Sequence, residues 1–189
     1  MITNSLIADF LACKQLAYLS LTSQVGPPTE LDLHQQRIRN HVMKRFATAH
    51  ESHIITTHTL DALRSSDLPQ HCSPSYVIKQ SFTSETCHLI LDAIKILPSP
   101  SDTSTLSCIP IKASPHVTVS KNERLELCMI AILLQKHVPH LKCSHCTTIS
   151  EWNAVATTFS LETHIREARR YLQQLTVMNA HPTPPRYYS

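Results

Sequence analysis

A single glycine, Gly26, occurs among the 189 residues, where an average usage of about 7% would give roughly thirteen. Turns that need a positive backbone φ must therefore be built from Asn, Asp, His or Ser, at some cost in free energy. Phosphate-binding loops of the P-loop and dinucleotide-binding types depend on glycine, because the backbone must approach the phosphate closely. The near-absence of glycine therefore excludes the enzyme classes that use those loops.

The remaining composition predicts a globular chain of one domain. Hydrophobic residues make up 42% of the chain and charged residues 16%, which is too apolar for a disordered chain. We expect one domain over 1–189, with an N-terminal helical part (1–64), an αβ core (76–178) and a tail (179–189). The sequence has neither an apolar run long enough to cross a bilayer nor a signal-peptide pattern at its start. These features predict a soluble cytoplasmic protein with no membrane partner.

Periodicity predicts helices at the beginning of the chain and strands after them. Thr3 is placed to cap a first helix that reaches about Ser20, and a second helix is expected from about Leu33 to His50. Three strands in an antiparallel meander, a helix, an irregular segment, a fourth strand and a last helix capped by Ser160 follow. The fourth strand is alternatively the second arm of a hairpin that begins near Thr147. We expect the three strands at 76–82, 87–97 and 106–113, and the helix at 121–136. The irregular segment is expected at 137–153, the fourth strand at 153–159 and the last helix from 161 onward. This order predicts an α+β fold in which helices flank a mixed sheet.

One acidic residue, Asp92, lies inside the apolar run Cys87–Leu97. On a strand it would share a face with isoleucines, where a carboxylate is costly unless it has a partner. Lys112, on the next predicted strand, is the partner we expect. The pair has two interpretations: an ion pair that fixes strand register, or a site where the acid binds a divalent metal and the lysine orients or deprotonates water.

The order, spacing and flanks of these segments resemble the RecB-like branch of the PD-(D/E)XK nucleases, which includes the CRISPR-associated exonucleases. The similar segments are Ile2–Tyr18, Leu91-Asp92-Ala93, Ile109-Pro-Ile-Lys112, the helix 121–135 and residues 151–170. The resemblance implies a restriction-endonuclease-like fold and DNA as a partner. It also implies catalytic roles for Asp92, Lys112 and Gln135, with Mg²⁺ or Mn²⁺ bound by Asp92.

The sequence departs from this family at two places. Pro110 stands two residues before the lysine, where the family has Glu or Asp, and proline supplies no metal ligand. Glu85, Glu123 and Glu126 are the candidates to replace that acid. In relatives with an iron–sulfur cluster, three C-terminal cysteines join an N-terminal one. Cys13 has no such partners in this sequence, so we expect no iron–sulfur cluster in this chain.

These observations leave three functional hypotheses. In the first, the chain is a degenerate nuclease-fold protein that binds DNA or a partner protein and cuts weakly or not at all. In the second, it is an active metal-dependent deoxyribonuclease with a relocated second acid. In the third, it is a non-enzymatic scaffold with a small zinc site, because zinc-type ligands recur every three residues in one segment. Those ligands are His137, His140, Cys143 and Cys146.

A basic surface is the remaining candidate for nucleic-acid binding. Arg37, Arg39, Lys44 and Arg45 lie largely off the apolar stripe of the second predicted helix. Such a face is either a solvated helix surface or a surface that follows a phosphate backbone.

Overall fold

The computed structural model describes residues 1–24, 26–55, 74–97, 105–150 and 156–184. Its helices are α1 (Asn4–Ala12), α2 (Lys14–Leu21), α3 (Glu30–Ala49), α4 (Lys121–His137) and α5 (Leu161–Ala180). Its strands are β1 (Ile2–Thr3), β2 (Ser75–Thr83), β3 (Cys87–Leu97), β4 (Leu106–Ser114), β5 (Leu141–Cys143), β6 (His145–Ser150) and β7 (Ala156–Ser160). The predicted boundary between 64 and 76 and the end of the predicted tail lie largely outside the described residues.

The seven described strands form one mixed sheet flanked by helices, so the α+β class is confirmed. The predicted antiparallel meander is also confirmed, because β2 pairs with β3 and β3 pairs with β4, both antiparallel. Beyond the meander, β5 and β6 each pair parallel with β4, and β7 pairs antiparallel with β6. Strand β4 is therefore a central strand of the sheet.

The first predicted helix is divided into α1 and α2. Thr3 caps α1 as expected, since its Oγ1 accepts a hydrogen bond from the Leu6 N–H at 3.2 Å. The prediction of one continuous helix to about Ser20 was wrong, because the backbone of Cys13 is extended (φ −163°). The break lets Ser20 Oγ donate to Asp9 Oδ2 at 2.5 Å, whereas a continuous helix would hold these residues about 16 Å apart along its axis.

Local capping explains where α3 begins. The Asp32 N–H donates to Thr29 Oγ1 at 3.2 Å, and the Thr29 N–H donates to Asp32 Oδ2 at 2.8 Å. This capping box starts α3 at Glu30, three residues before the predicted start at Leu33.

The prediction that 137–153 is irregular was wrong for its central part, whereas the alternative of a hairpin that begins near Thr147 is confirmed by the antiparallel pairing of β6 with β7. Cys143 on β5 pairs in register with Cys108 on β4, and Thr148 on β6 pairs with Lys112. Parallel pairing joins residues that are distant in sequence, so local periodicity does not reveal it. Residues 151–153 lie outside the described residues.

Helices cover both faces of the sheet. Helices α1, α4 and α5 share the larger apolar core with the sheet, which includes the fully buried Ile94 and Leu134. A smaller cluster, which includes Val42 and Met43 of α3 and Ile111 of β4, lies under α3. Among the described residues, no helix combines the length and the apolar character needed to cross a membrane.

Strand β3 is paired with β2 along most of one edge, with an interruption at Asp92, but the other edge is paired only near its two ends. On the open edge, β4 pairs with Ala93–Leu97, and β1 pairs with Cys87 and His88. Within the described residues, no strand pairs with this edge between His88 and Ala93. The Asn4 side chain fills part of the gap: its Nδ2 donates to the Ile90 carbonyl at 2.9 Å, and its Oδ1 accepts from the Ile90 N–H at 2.7 Å. This gap is where the candidate site lies.

Candidate functional site

Asp92 and Lys112 lie where β3 and β4 separate. The last antiparallel pair before the gap joins Ala93 to Ile111, and the same register extended by one residue sets Lys112 opposite Asp92. The Asp92 carboxylate lies within the gap, where its Oδ2 accepts a hydrogen bond from the Ala113 N–H at 2.9 Å. Asp92 and Lys112 line one cavity, as the sequence predicted, but within the described residues the ion pair of Lys112 is with Glu126 and not with Asp92.

A second carboxylate reaches this site from α4. Glu126 Oε2 forms an ion pair with Lys112 Nζ, and the two side chains are only 10% and 12% exposed. Glu126 is held there because Leu125 and Leu127, its neighbours in α4, are buried in the core. The structure thus distinguishes Glu126 from the other two candidates for the missing acid.

Pro110 lies beside this site but contributes no polar group to it. It pairs with Ile94 of β3 and is buried. On its other side, β4 pairs with β5 up to Cys108 and with β6 from Ile111 onward, so Pro110 falls in the interval between the two partners. A proline is tolerated in a central strand where a ladder donor is not required.

A cavity of about 660 Å³ opens over the gap in the sheet. Such a volume is typical of sites that hold small ligands or parts of larger ones. Asp92, Lys112 and Glu126 line this cavity together. Further polar side chains come from β1, α1, α3, β2 and β3, and these are Thr3, Asn4, Ser5, Gln36, Arg39, Asn40, Lys79 and His88. The cavity therefore collects groups from both halves of the chain.

Positive charges outnumber carboxylates in the cavity around Asp92. Burial raises the pKa of Asp92, and the Ala113 N–H and the positive charges of Lys112, Arg39 and Lys79 oppose that rise without reversing it. With two carboxylates and three cations, the lining carries a net positive charge when all five groups are ionised. The Arg39 Nε is buried and has no hydrogen-bond partner within the described residues. A site with these properties favours an anionic ligand.

The far end of the cavity is formed by β3 and the start of α1. His88 is four residues before Asp92 on β3, which corresponds to about 13 Å along the strand, and its Nδ1 lies 2.7 Å from Thr83 Oγ1. Between them, Ile90 is 56% exposed although it lines the cavity. An exposed apolar side chain between polar ends suits a ligand that has both charged and apolar parts.

The other candidates for the second acid lie elsewhere. Glu85 is exposed at the turn between β2 and β3. Glu123 is held in the capping box of α4: its Oε2 accepts from the Ser120 N–H at 2.9 Å and its Oε1 accepts from Ser114 Oγ at 2.6 Å. Burial acts to raise the pKa of Glu123, but the bonds from Ser114 and Ser120 outweigh it and the pKa is lowered.

Gln135, which the family resemblance implied as a support for the site, lies at the other end of α4. Its Nε2 donates to the Cys143 carbonyl at 2.8 Å and so joins α4 to β5. It does not line the cavity that contains Asp92.

The four basic residues of α3 are divided among different surroundings. Arg39 lines the cavity, while Arg37 and Lys44 are exposed to solvent. Arg45 lines a separate cavity of about 220 Å³ next to Phe46 and His50. Arg39 is therefore the member of this group that joins the candidate site.

The four zinc-type residues do not converge in the structure. His137 contacts Thr86 Oγ1 through its Nε2 at 3.3 Å, and Cys143 Sγ lies 3.1 Å from Cys108 Sγ. Cys146 hydrogen-bonds to Cys128 instead, and that bond, followed by burial, raises the pKa of Cys146. Zinc binds the thiolate form of cysteine. Within the described residues, no group of three or more His, Cys, Asp or Glu side chains is arranged to hold a metal. Zinc binding at His137, His140, Cys143 and Cys146 therefore gains no support from the fold.

Several lining residues had no signal in the sequence. Lys79 and His88 lie on strands without a recognisable motif, and Asn4 reads as an ordinary first-turn residue of a helix. Glu126 had a weak signal, because an acidic residue inside the buried stretch of α4 needs a partner. Long-range strand pairing brings these residues together, and it cannot be read from local pattern.

No protein-family model matches the chain, and no curated protein matches it either. A solved structure described as the crystal structure of SSO0001 is similar over 92% of this chain and 75% of its own, with 12% identity and a TM-score of 0.35.

Proposed function

We propose that this chain is a restriction-endonuclease-like protein that binds nucleic acid and hydrolyses phosphodiester bonds with the help of a divalent cation. The observation that carries the proposal is that Asp92, Lys112 and Glu126 line one cavity, with Glu126 in contact with Lys112. Glu126 would replace, from α4, the acid that Pro110 removes from β4. The strand and helix order adds support, because it is the order that the family resemblance implies.

Asp92 and Glu126 are the residues that would hold Mg²⁺ or Mn²⁺. Asp92 Oδ1 and Glu126 Oε1 take no hydrogen bond within the described residues, so each carboxylate retains an oxygen for a ligand. Hard cations of this kind are commonly bound by one or two carboxylates together with water and substrate phosphate. Such a cation would supply an activated water and stabilise charge on the phosphate.

The other groups of the cavity have roles that follow from their charge. Lys112, which is largely buried, would orient the attacking water or donate a hydrogen bond to a phosphate oxygen through Nζ. Arg39 has an unpartnered buried Nε and would bind a phosphate oxygen. We also propose that the protein is located in the cytoplasm.

A cleavage assay with Mn²⁺ on single- and double-stranded DNA tests the proposal. We expect the wild type to cut, and Asp92→Asn and Glu126→Gln each to reduce the rate at least a hundredfold, since each removes a charged ligand. Glu85→Gln is the matched control, because Glu85 lies on the surface outside the cavity, and it should cut at the wild-type rate. Unimpaired cutting by Glu126→Gln would refute the assignment of Glu126.

A second function, binding of DNA or a partner protein without cleavage, is favoured by one specific observation. Glu126 Oε2 is ion-paired to Lys112, so this carboxylate oxygen is already bound to an ammonium group and not to a cation. In this case the wild type would bind DNA in the same assay and leave it intact at every concentration of Mn²⁺.

A further inference from the structure

We infer that Lys79 is a phosphate-binding residue, held over Asp92 by a strained backbone, which binds a nucleic-acid phosphate next to the bond that Asp92 and Glu126 would act on. The inference deepens the proposed function and depends on its nucleic-acid-binding part. Lys79 lines the same cavity as Asp92 and adds a positive charge near its carboxylate.

The backbone of Lys79 is unusual for its place in the fold. Its φ is +51°, in the left-handed region, although it lies in the middle of strand β2. Pairing with β3 holds on both sides of it, with Ile78 opposite Ala93 and Gln80 opposite Leu91. The register is the same before and after, so no inserted residue explains the distortion. By that register, Lys79 is the residue opposite Asp92.

The other positive φ among non-glycine residues of the described chain has an ordinary cause. Ser23 (φ +57°) follows α2, where the Gln24 N–H donates to the Leu19 carbonyl at 2.8 Å. A left-handed residue at this position is a common way to end a helix. No helix ends at Lys79, and lysine is not a residue type that favours this conformation. Strained residues of this kind are concentrated at ligand sites, where the surrounding structure holds them in place.

The surroundings of Lys79 indicate what its ammonium group would bind. Its side chain is exposed on the cavity side of the sheet, opposite Asp92. Arg39, with its unpartnered buried Nε, lines the same cavity from α3. Two cations that face one cavity from separate elements provide a site for the oxygens of a phosphate group. A nucleic-acid strand presents such phosphates at regular intervals, so Lys79 would hold one while Asp92 lies beside another.

Two substitutions of Lys79 remove its charge and differ in their effect on the backbone strain. Glycine adopts a positive φ without strain. Lys79→Gly should therefore raise the Tm by about 2–4 °C, the change expected when the backbone strain at one residue is removed from a chain of this length. Lys79→Asn keeps a residue type that tolerates the conformation and removes the charge. Both variants should bind a fluorescein-labelled oligothymidylate more weakly in buffer with EDTA, where no cleavage occurs. Loss of one phosphate contact should make the slope of log K against log salt shallower by about 0.7.

Two controls match these variants. Ser23→Gly relieves the other positive φ, at a residue that does not line the cavity, and should raise the Tm without changing the binding or its salt slope. Lys142→Asn removes an exposed cation from β5, outside the cavity, and should leave the salt slope unchanged. A Lys79→Gly variant with wild-type affinity and slope, or with a lowered Tm, would overturn the inference. If the Lys79 variants bind more weakly and the wild type never cuts DNA, the inference on Lys79 is retained and the cleavage part of the proposed function is refuted.

Discussion

Lys112 Nζ on β4 forms an ion pair with Glu126 Oε2 on α4, with about nine-tenths of each side chain removed from solvent. The pair joins the central strand of the sheet to the most buried helix at the point where β3 and β4 separate. Removal of one partner from a buried pair leaves an uncompensated charge, which costs more than removal of both. The pair therefore links the candidate site to the stability of the fold.

A double-mutant cycle would measure this link. We expect Lys112→Met and Glu126→Leu each to lower the free energy of unfolding, and the double variant to lose less than the sum, with a coupling of about 0.5–3 kcal/mol. Urea unfolding of the four proteins gives the coupling energy. The exposed pair Lys121–Glu167 is the control, where we expect about 1 kcal/mol or less. Equal coupling in the two cycles would contradict the interpretation.

The raised pKa of Asp92 predicts how its contribution to stability varies with pH. The folded state holds the Asp92 proton more tightly than the unfolded state, so stability falls as the pH rises above 3.8, the ordinary Asp value, through the raised folded pKa. Asp92→Asn lacks this loss and can still accept the bond from the Ala113 N–H. We therefore expect its stability relative to wild type to increase over that pH range and then to level off. A stability difference that stays constant with pH would show that the two states bind the proton equally.

The capping box of α4 gives a pH dependence of the opposite sign. The pKa of Glu123 is lowered in the folded state, so its contribution is fully present above 4.5, the ordinary Glu value, and is lost as the pH falls through the lowered pKa. Glu123→Gln should therefore destabilise the protein at neutral pH, and the difference should shrink in acid. Ser120→Ala should cost about 1 kcal/mol through loss of the cap. Thermal unfolding over a pH series measures both, and a Glu123→Gln difference that grows in acid would be the contrary result.

Asn4 is expected to hold the open edge of β3 in place. Its side chain makes both a donor and an acceptor bond with Ile90, so Asn4→Ala should lower the free energy of unfolding by about 1–2 kcal/mol. Hydrogen exchange should show faster exchange of the Ile90 amide in this variant. Ser5→Ala, at the next exposed position, is the control and should leave that amide protected. An Ile90 amide that exchanges at the wild-type rate in Asn4→Ala would argue against this role.

Much of the secondary structure could be predicted from the sequence because its signals are local. The run Cys87–Leu97 coincides with β3, and Thr3 and Ser160 cap helices where their side chains suggested. The failures have physical causes of longer range. The helix breaks at Cys13 where α1 and α2 contact each other, and the unpredicted strand β5 pairs with β4, which is distant in sequence.

The sequence by itself determined that Asp92 requires a partner, because a carboxylate within an apolar strand is costly unless it is paired. It also placed Lys112 in the same site and identified Pro110 as a break in the family pattern, but the direct partner of Asp92 is the Ala113 N–H, and Lys112 pairs with Glu126. Only the tertiary structure decided which acid joins them: Glu126 rather than Glu85 or Glu123, since the packing of α4 on the sheet determines which residue of the helix faces Lys112. It also placed Arg39 and Lys79 around Asp92, because strand register and helix packing act over distances that a local pattern does not encode.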